Sequence, residues 1–404
     1  MKKINKNIFV FLFCFIFIGI GFCSKELLIK TGDAVLGFIN GNSSISYRID
    51  KIKNRINATY QKELFYHKYM LDINSLKENL LGTRVIFKDD TTIVKADSGS
   101  LAEPKPKMKE SEFENVISEL KKLKSITESN GADFLYCFAP NKELYETLPV
   151  NVNYWDIENC EKLLSYLDSA SIPYVDLKKS LNKKGVSEEE IFYYTDHHWN
   201  ANSGFIAATS ICEELNIRYG FEFNDYYTDI NNYEVKHFSN LFLGSRGKST
   251  GLYFSQHGAD DFDLITPRFD TDMTEEQPFK NSIRRGSFED TVLFMENMEK
   301  DYYGLSTYTT YSGGDFRLQI MKNNLNPEGK RILLIRDSFA CVVAPFLALQ
   351  TSELHICDMR DFSGFVGDKV NVEEYIKTIN PDYVLVLYTG ISSHNISQGK
   401  YDFF

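Results

Sequence analysis

Apolar residues follow two rhythms along this chain of 404 residues, and the way those rhythms alternate is its first structural signal. Phe113, Val116, Ile117, Leu120 and Leu123 recur at helical spacing, behind a Ser111–Glu114 pair at capping-box separation. Phe134 to Ala139 is a continuous apolar run stopped by Pro140, the pattern of a strand covered on both faces. Residues 158–169 read as helix and Tyr174-Val175-Asp176-Leu177 as the next strand. Phe205, Ile206, Ala208, Ile211 and Cys212 predict a further helix over residues 202–215. The rhythm returns at Ile332–Ile335 and passes through a helical stretch carrying Val342, Val343, Phe346 and Leu347. It repeats in strand Leu354–Cys357, helix 373–378 and strand Tyr383–Tyr388. Such alternation predicts an α/β fold with a parallel sheet flanked by helices. Ligands in these sheets bind beyond the carboxyl ends of the strands.

Residues 217–325 break the pattern. They are rich in Tyr, Phe, Asp and Gly, with turn signals such as Gly313-Gly314-Asp315, and read as a large irregular insertion that walls the site. Within it, Gly244-Ser245-Arg246-Gly247-Lys248 lacks phosphate-loop spacing and reads as an ordinary loop. Upstream, Leu27–Ile29 and Ser44–Tyr47 fit strands, and residues 49–69 fit a charged amphipathic helix. Arg84–Phe87 and Thr91–Val94 predict a hairpin turning near Asp89-Asp90, and residues 97–109, with Pro104 and Pro106, read as a linker. The charged start Met1–Lys6 and the apolar run Ile8–Phe22 have the form of an export leader. That run is shorter than the roughly 20 residues of a membrane span, so cleavage near Cys23-Ser24 and retention as an anchor both fit. The expected organisation is a signal peptide or N-terminal membrane anchor over 1–24, an extension and linker over 25–110, and a catalytic domain over 111–404.

With 43% hydrophobic residues, the chain can bury one large core or two modest ones. Its net charge of −11 argues against a nucleic-acid partner, which needs clustered Lys and Arg. Beyond the leader, Cys137, Cys160, Cys212, Cys341 and Cys357 form an odd set without paired spacing and read as small buried hydrophobes. No CxxC or HExxH spacing points to a metal.

The candidate chemistry lies in Tyr194-Thr195-Asp196-His197-His198-Trp199-Asn200. A general base needs an imidazole held in one tautomer by an acceptor on its other nitrogen. In an extended segment Asp196 and His198 share one side, while His197 faces the other. The candidate nucleophile is Ser338, in Arg336-Asp337-Ser338-Phe339-Ala340 at the end of a predicted buried strand. The plainer readings are caps: Ser338 for the following helix and Asp196 for the helix beginning near Asn200. Asp337 is a rival acid by composition, but a neighbour of the nucleophile seldom reaches the far side of the base, and a turn-fixing role suits it better.

Asp196-His197-His198-Trp199 followed by Arg336-Asp337-Ser338-Phe339 resembles the DHHW family of bacterial surface proteins, itself similar to the SGNH-hydrolase-like O-acetyltransferases that acetylate alginate in the periplasm. The resemblance spans roughly residues 110–400 and includes the order Asp, His, then Ser. Those transferases have a single His in the motif. Register against Trp199 makes His198 the base and leaves His197 at the variable position. The resemblance implies an SGNH-like fold and catalysis by Ser338, His198 and Asp196 without a cofactor. It implies a polysaccharide acceptor, with a membrane-bound O-acyltransferase as acetyl donor. It assigns Arg360, in an Asp-x-Arg segment, and Lys142 to substrate or oxyanion contacts, and Trp199 and His197, within the motif, are candidates for the same contacts. For Arg360 a surface arginine is the alternative. The same triad also suits a carbohydrate O-acetyl esterase, and a relic triad would suit a non-catalytic polysaccharide assembly or binding protein.

Overall fold

The computed structural model describes residues 67–88, 91–362 and 365–404. The leader, the two strands expected before residue 50 and all but the end of the helix expected over 49–69 lie outside the described residues. Two units divide the chain, Met1–Glu78 and Asn79–Phe404. What is described of the first belongs to helix His67–Leu80, where Tyr69, Met70, Ile73 and Leu76 are exposed. Among the described residues no helix is long and apolar enough to cross a membrane.

The second unit begins with three short antiparallel strands, β1 (Val85–Lys88), β2 (Thr91–Lys95) and β3 (Leu101–Ala102). The first two are the expected hairpin. The third falls in the stretch expected to be a linker, and its backbone is tied into the unit: Leu101 N donates to Tyr194 O at 2.8 Å, and Arg246 Nη1 donates to Leu101 O at 2.8 Å. Two prolines suggested a free connector, but the partners that fix this segment lie far away in sequence.

The remaining strands are β4 (Asp133–Ala139), β5 (Tyr174–Asp176), β6 (Tyr233–Phe242), β7 (Asp260–Pro267), β8 (Met273–Gln277), β9 (Ser282–Gly286), β10 (Leu318–Asn323), β11 (Arg331–Arg336), β12 (Glu353–Asp358) and β13 (Tyr383–Thr389). Eight of them form one sheet in the order β5-β4-β13-β11-β12-β10-β8-β9. The first five are parallel, as the apolar runs predicted. Side chains alternate between two cores: Leu135, Ile332, Leu334 and Leu385 face one, while Phe134, Tyr136, Leu333 and Val384 face the other. Helix Ala201–Tyr219 covers the first face. Helices Glu110–Ser129, Asp156–Ser169 and Val372–Ile379 cover the second. All five cysteines beyond the leader are free and buried.

Helix ends differ from the sequence reading by short steps. The first helix is capped at Lys109 with Glu112 rather than by Ser111 and Glu114. Asn200 caps helix Ala201–Tyr219, its side chain accepting from Ser203 N at 2.9 Å, so the capping role considered for Asp196 belongs to Asn200.

Residues 217–325, expected as a large irregular insertion, hold ordered strands between their turns and 3-10 segments. β8, β9 and β10 extend the main sheet antiparallel through β12, and β6 pairs with β7. Strands such as Met273-Thr274-Glu275-Glu276-Gln277 and Ser282-Ile283-Arg284-Arg285-Gly286 are short and charged, so they lack the apolar runs that made the parallel strands legible.

Candidate active site

The carboxyl ends of β4, β11, β12 and β13 open into a pocket of about 580 Å³, lined among others by Asn141, Ser338, Arg360 and Gly390. Ser338 follows β11 after the single residue Asp337 and begins a 3-10 turn, Ser338–Val342, ahead of the short helix Ala344–Ala348. Asp337 sets this turn. Its Oδ1 accepts from Phe339 N at 3.1 Å, and its Oδ2 accepts from Thr389 N at 2.8 Å and Thr389 Oγ1 at 2.9 Å. Lys400 Nζ adds an ion pair at 2.7 Å with both side chains buried. Burial pushes the Asp337 carboxyl up, but Lys400, Arg360 and these bonds outweigh it and hold the group far below the usual carboxylate range. The turn-fixing role expected for Asp337 is what its partners describe. Because the Phe339 amide is taken by Asp337 Oδ1 and the Ala340 amide by Asp337 O, neither of these turn N–H groups is available to an oxyanion.

Across the pocket floor, His198 Nε2 lies 2.7 Å from Ser338 Oγ, and His198 Nδ1 lies 2.5 Å from Asp196 Oδ1. Asp196 Oδ1 also accepts from His198 N at 2.9 Å, and Oδ2 accepts from Ser245 N at 2.6 Å. Burial raises the Asp196 carboxyl, but His198, His197 and the donated bonds prevail and hold it well below its ordinary value. The carboxylate therefore stays ionised and fixes the imidazole with Nδ1 as donor and Nε2 facing the serine.

The motif is bent rather than extended, because Asp196 folds back onto the amide two residues on. As a result His197 and His198 do not point to opposite sides. Their rings lie 3.8 Å apart at 37°, and His197 Nδ1 contacts Ser245 Oγ at 3.0 Å. The other face of His198 stacks on Tyr308 at 3.9 Å and 12°. Tyr308 in turn donates to Ser338 O at 3.0 Å, and Trp199 Nε1 donates to Phe339 O at 2.9 Å. His198 and the serine turn are thus held by shared aromatic neighbours.

The other expected site residues divide. Arg360 lines the pocket, clamped by Asp358 at 2.5 Å and Asp315 at 3.0 Å. His197 lines it as well. Trp199 is fully buried and positions the turn instead of contacting a ligand. Lys142 is 1% exposed and spends its ammonium on three carbonyls, those of Tyr193 (2.5 Å), Tyr194 (2.8 Å) and Asp196 (3.0 Å). It has no donor left for a substrate and pins the motif from beneath. Asp260 completes that grip on the amide side, accepting from Tyr194 N at 2.5 Å and Thr195 N at 2.9 Å.

Sequence reasoning missed Ser245, Asp260, Tyr308 and Asp315. The one legible trace was Gly244-Ser245 after an apolar run. Those residues form the start of helix Ser245–Thr250, not a loop. A Cβ on Gly244 would lie 2.2 Å from Asp196 Cβ, so glycine is needed for the close approach that delivers the Ser245 amide. Among the described residues Asp196, His197 and His198 could together ligate a metal, but both His198 nitrogens are engaged, so an ion there would break either the Asp196–His198 or the His198–Ser338 contact.

Residues 100–226 match the family model of the SGNH hydrolase-like domain of the acetyltransferase AlgX. The match includes Asp196 and His198 and stops short of Ser338. Bacillus cereus PatB1 superposes with a TM-score of 0.62 at 20% identity, covering 78% of this chain and 100% of that one. A DHHW family protein from Eubacterium siraeum gives 0.56 at 18% identity, covering 76% and 92%. The resemblance drawn from the motifs and the SGNH-like α/β fold are both borne out. No curated protein sequence matches the chain.

Proposed function

We propose that this chain is an O-acetyltransferase that moves an acetyl group through an acyl-Ser338 intermediate onto hydroxyls of an exported or cell-surface polysaccharide. The observation that carries the reading is the unbroken Ser338–His198–Asp196 hydrogen-bond line opening into the 580 Å³ pocket. The family model's description as an acetyltransferase supports the same class.

Ser338 Oγ adds to the acetyl carbonyl of the donor ester while its proton passes to His198 Nε2. Collapse of the tetrahedral adduct expels the donor oxygen, which takes that proton. A sugar hydroxyl then gives its proton to His198 and attacks the acyl carbon. Ser338 Oγ leaves and recovers the proton. Asp196 keeps the imidazole oriented and offsets its transient charge. With the Phe339 and Ala340 amides engaged, the oxyanion falls to the Ser338 N–H. The leader supports export. Because acetyl-CoA is a cytoplasmic donor, the acetyl group outside the cell would come from a membrane-bound O-acyltransferase partner.

The test is acetyl transfer from a chromogenic acetyl ester to polysaccharide by the full chain and by Ser338→Ala. Transfer that needs Ser338 supports the reading. Equal transfer by the variant sinks it, and Ser338-dependent hydrolysis with no transfer to any sugar turns it into an esterase.

A further inference from the structure

The pocket's charges are spoken for. Among the described lining residues the cations are Lys105, Arg246, Arg360 and Lys400, and each already faces a carboxylate. Lys105 pairs with Glu103 at 2.5 Å and Arg246 with Glu143 at 2.7 Å. Lys400 pairs with Asp337 at 2.7 Å, and Arg360 with both Asp358 and Asp315. The lining carboxylates are Glu103, Glu143, Asp156, Asp315 and Asp337, five against four cations. The fifth, Asp156, is satisfied by neutral donors, Lys105 N at 2.9 Å and Asn141 Nδ2 at 2.8 Å.

A polymer with a carboxylate on every sugar would have to pull a cation out of one of these pairs. Arg246, Arg360 and Lys400 are buried; stripping Arg246 or Lys400 would leave a buried carboxylate without its cation, the costly half of breaking a buried pair, and Arg360 is locked with Arg336 into one network around Asp315 and Asp358. The net charge of −11 would also repel such a polymer at long range. Uncharged polar groups, by contrast, are plentiful: Ser392, Asn395 and Gln398 line the same pocket, and the Arg360 guanidinium lies over the Phe362 ring, 4.5 Å from its centroid. Resting on the acetyl-transfer reading above, we infer that the acceptor is an uncharged sugar chain and that uronate polymers are poor acceptors.

The experiment is calorimetric titration of the full chain carrying Ser338→Ala at low salt. The probes are neutral hexamers of β1,4-glucose, β1,4-N-acetylglucosamine and α-mannose, set against hexamers of mannuronate and galacturonate. At least one neutral hexamer should bind about tenfold tighter than either uronate or better, a gap of about 1.4 kcal/mol. That affinity should be indifferent to added salt. Asn395→Trp, which puts a bulky ring into the pocket lining, should weaken it about tenfold or more. Uronate binding as tight as any neutral binding overturns the inference, as does failure of every neutral hexamer to bind at millimolar concentration. Neutral binding untouched by Asn395→Trp also overturns it, because the sugar would then sit elsewhere. Hydrolysis of a chromogenic acetyl ester by the unsubstituted chain, compared with Ser338→Ala, judges the catalytic reading separately. Its loss would leave the binding preference standing, and its presence would not rescue a uronate preference.

Discussion

Asp337 stands beside Ser338, the proposed nucleophile, and Asp337→Asn separates a structural carboxylate from a catalytic one. The native group is an acceptor only, meeting four donors: Phe339 N, Thr389 N, Thr389 Oγ1 and Lys400 Nζ. An amide can keep its oxygen toward Thr389 and Lys400 only by turning its NH₂ against Phe339 N–H. That orphans a buried amide, at about 1–3 kcal/mol. Lys400, 2% exposed, loses its counter-charge, and breaking a buried pair from one side costs about 3–5 kcal/mol. The two effects overlap, so the expected loss is about 3–5 kcal/mol, out of a typical total of about 5–15. The variant should therefore fold at room temperature but melt roughly 10 °C lower.

Burial draws the Lys400 ammonium downward in spite of Asp337, so the lysine is the costly member of the pair. Adding Lys400→Met to Asp337→Asn should recover about half of the lost stability by removing the stranded charge. The pH signature follows from the depressed carboxyl of Asp337. Its stabilisation is fully present above the unfolded value of about 3.9 and is lost as pH falls through the folded one, so the gap between wild type and Asp337→Asn should narrow in acid. Thermal denaturation across pH, with acetyl-ester hydrolysis at room temperature, measures both sides. The folded variant should keep activity within about tenfold of wild type. A variant that melts like wild type yet loses activity as fully as Ser338→Ala would make Asp337 a catalytic acid and refute the assignment.

His198→Ala should remove nearly all activity, as Ser338→Ala should, while His197→Ala, which leaves the Asp196–His198–Ser338 line intact, should lose about tenfold or less; steady-state ester hydrolysis decides, and the reverse order would shift the register by one residue. Tyr308→Phe keeps the ring against His198 but deletes the donor to Ser338 O, so stability should fall by about 1 kcal/mol, seen in denaturant midpoints, with activity down several-fold. Lys142, pushed down to about 8 by burial and then by Arg246, holds its proton less firmly when folded than the unfolded value of about 10.4 allows. Between those two values the unfolded chain binds more protons, so wild-type stability should rise with pH there relative to Lys142→Met in paired unfolding curves.

The parallel half of the fold was legible because strands buried on both faces, such as Phe134–Ala139 and Ile332–Ile335, must be continuously apolar. β8 to β10 were not, since an antiparallel margin tolerates charges and their pairing partners are distant in sequence. Within the site, Ser338, His198 and Asp196 stood out because a serine-imidazole-carboxylate line needs those residue types and the motifs they lie in resemble a family with the same order. The aromatic sandwich and the Ser245 amide carry no such mark. Tyr308 is one of 24 tyrosines, and a backbone donor has no letter of its own. Lys142 and Trp199 were found but misread. Both lie next to the chemistry, and only burial and bonding show that they hold the motif rather than the ligand.

The central claim is that Ser338 carries the acyl group. The most direct measurement is mass spectrometry of the full chain quenched during turnover of an activated acetyl ester, with peptide mapping. One acetyl group should appear on the peptide containing Ser338, accumulate in His198→Ala only slowly, and be absent in Ser338→Ala. Acetyl found on another residue, or turnover with no acyl-serine trapped under any quench while Ser338→Ala remains active, would contradict the account.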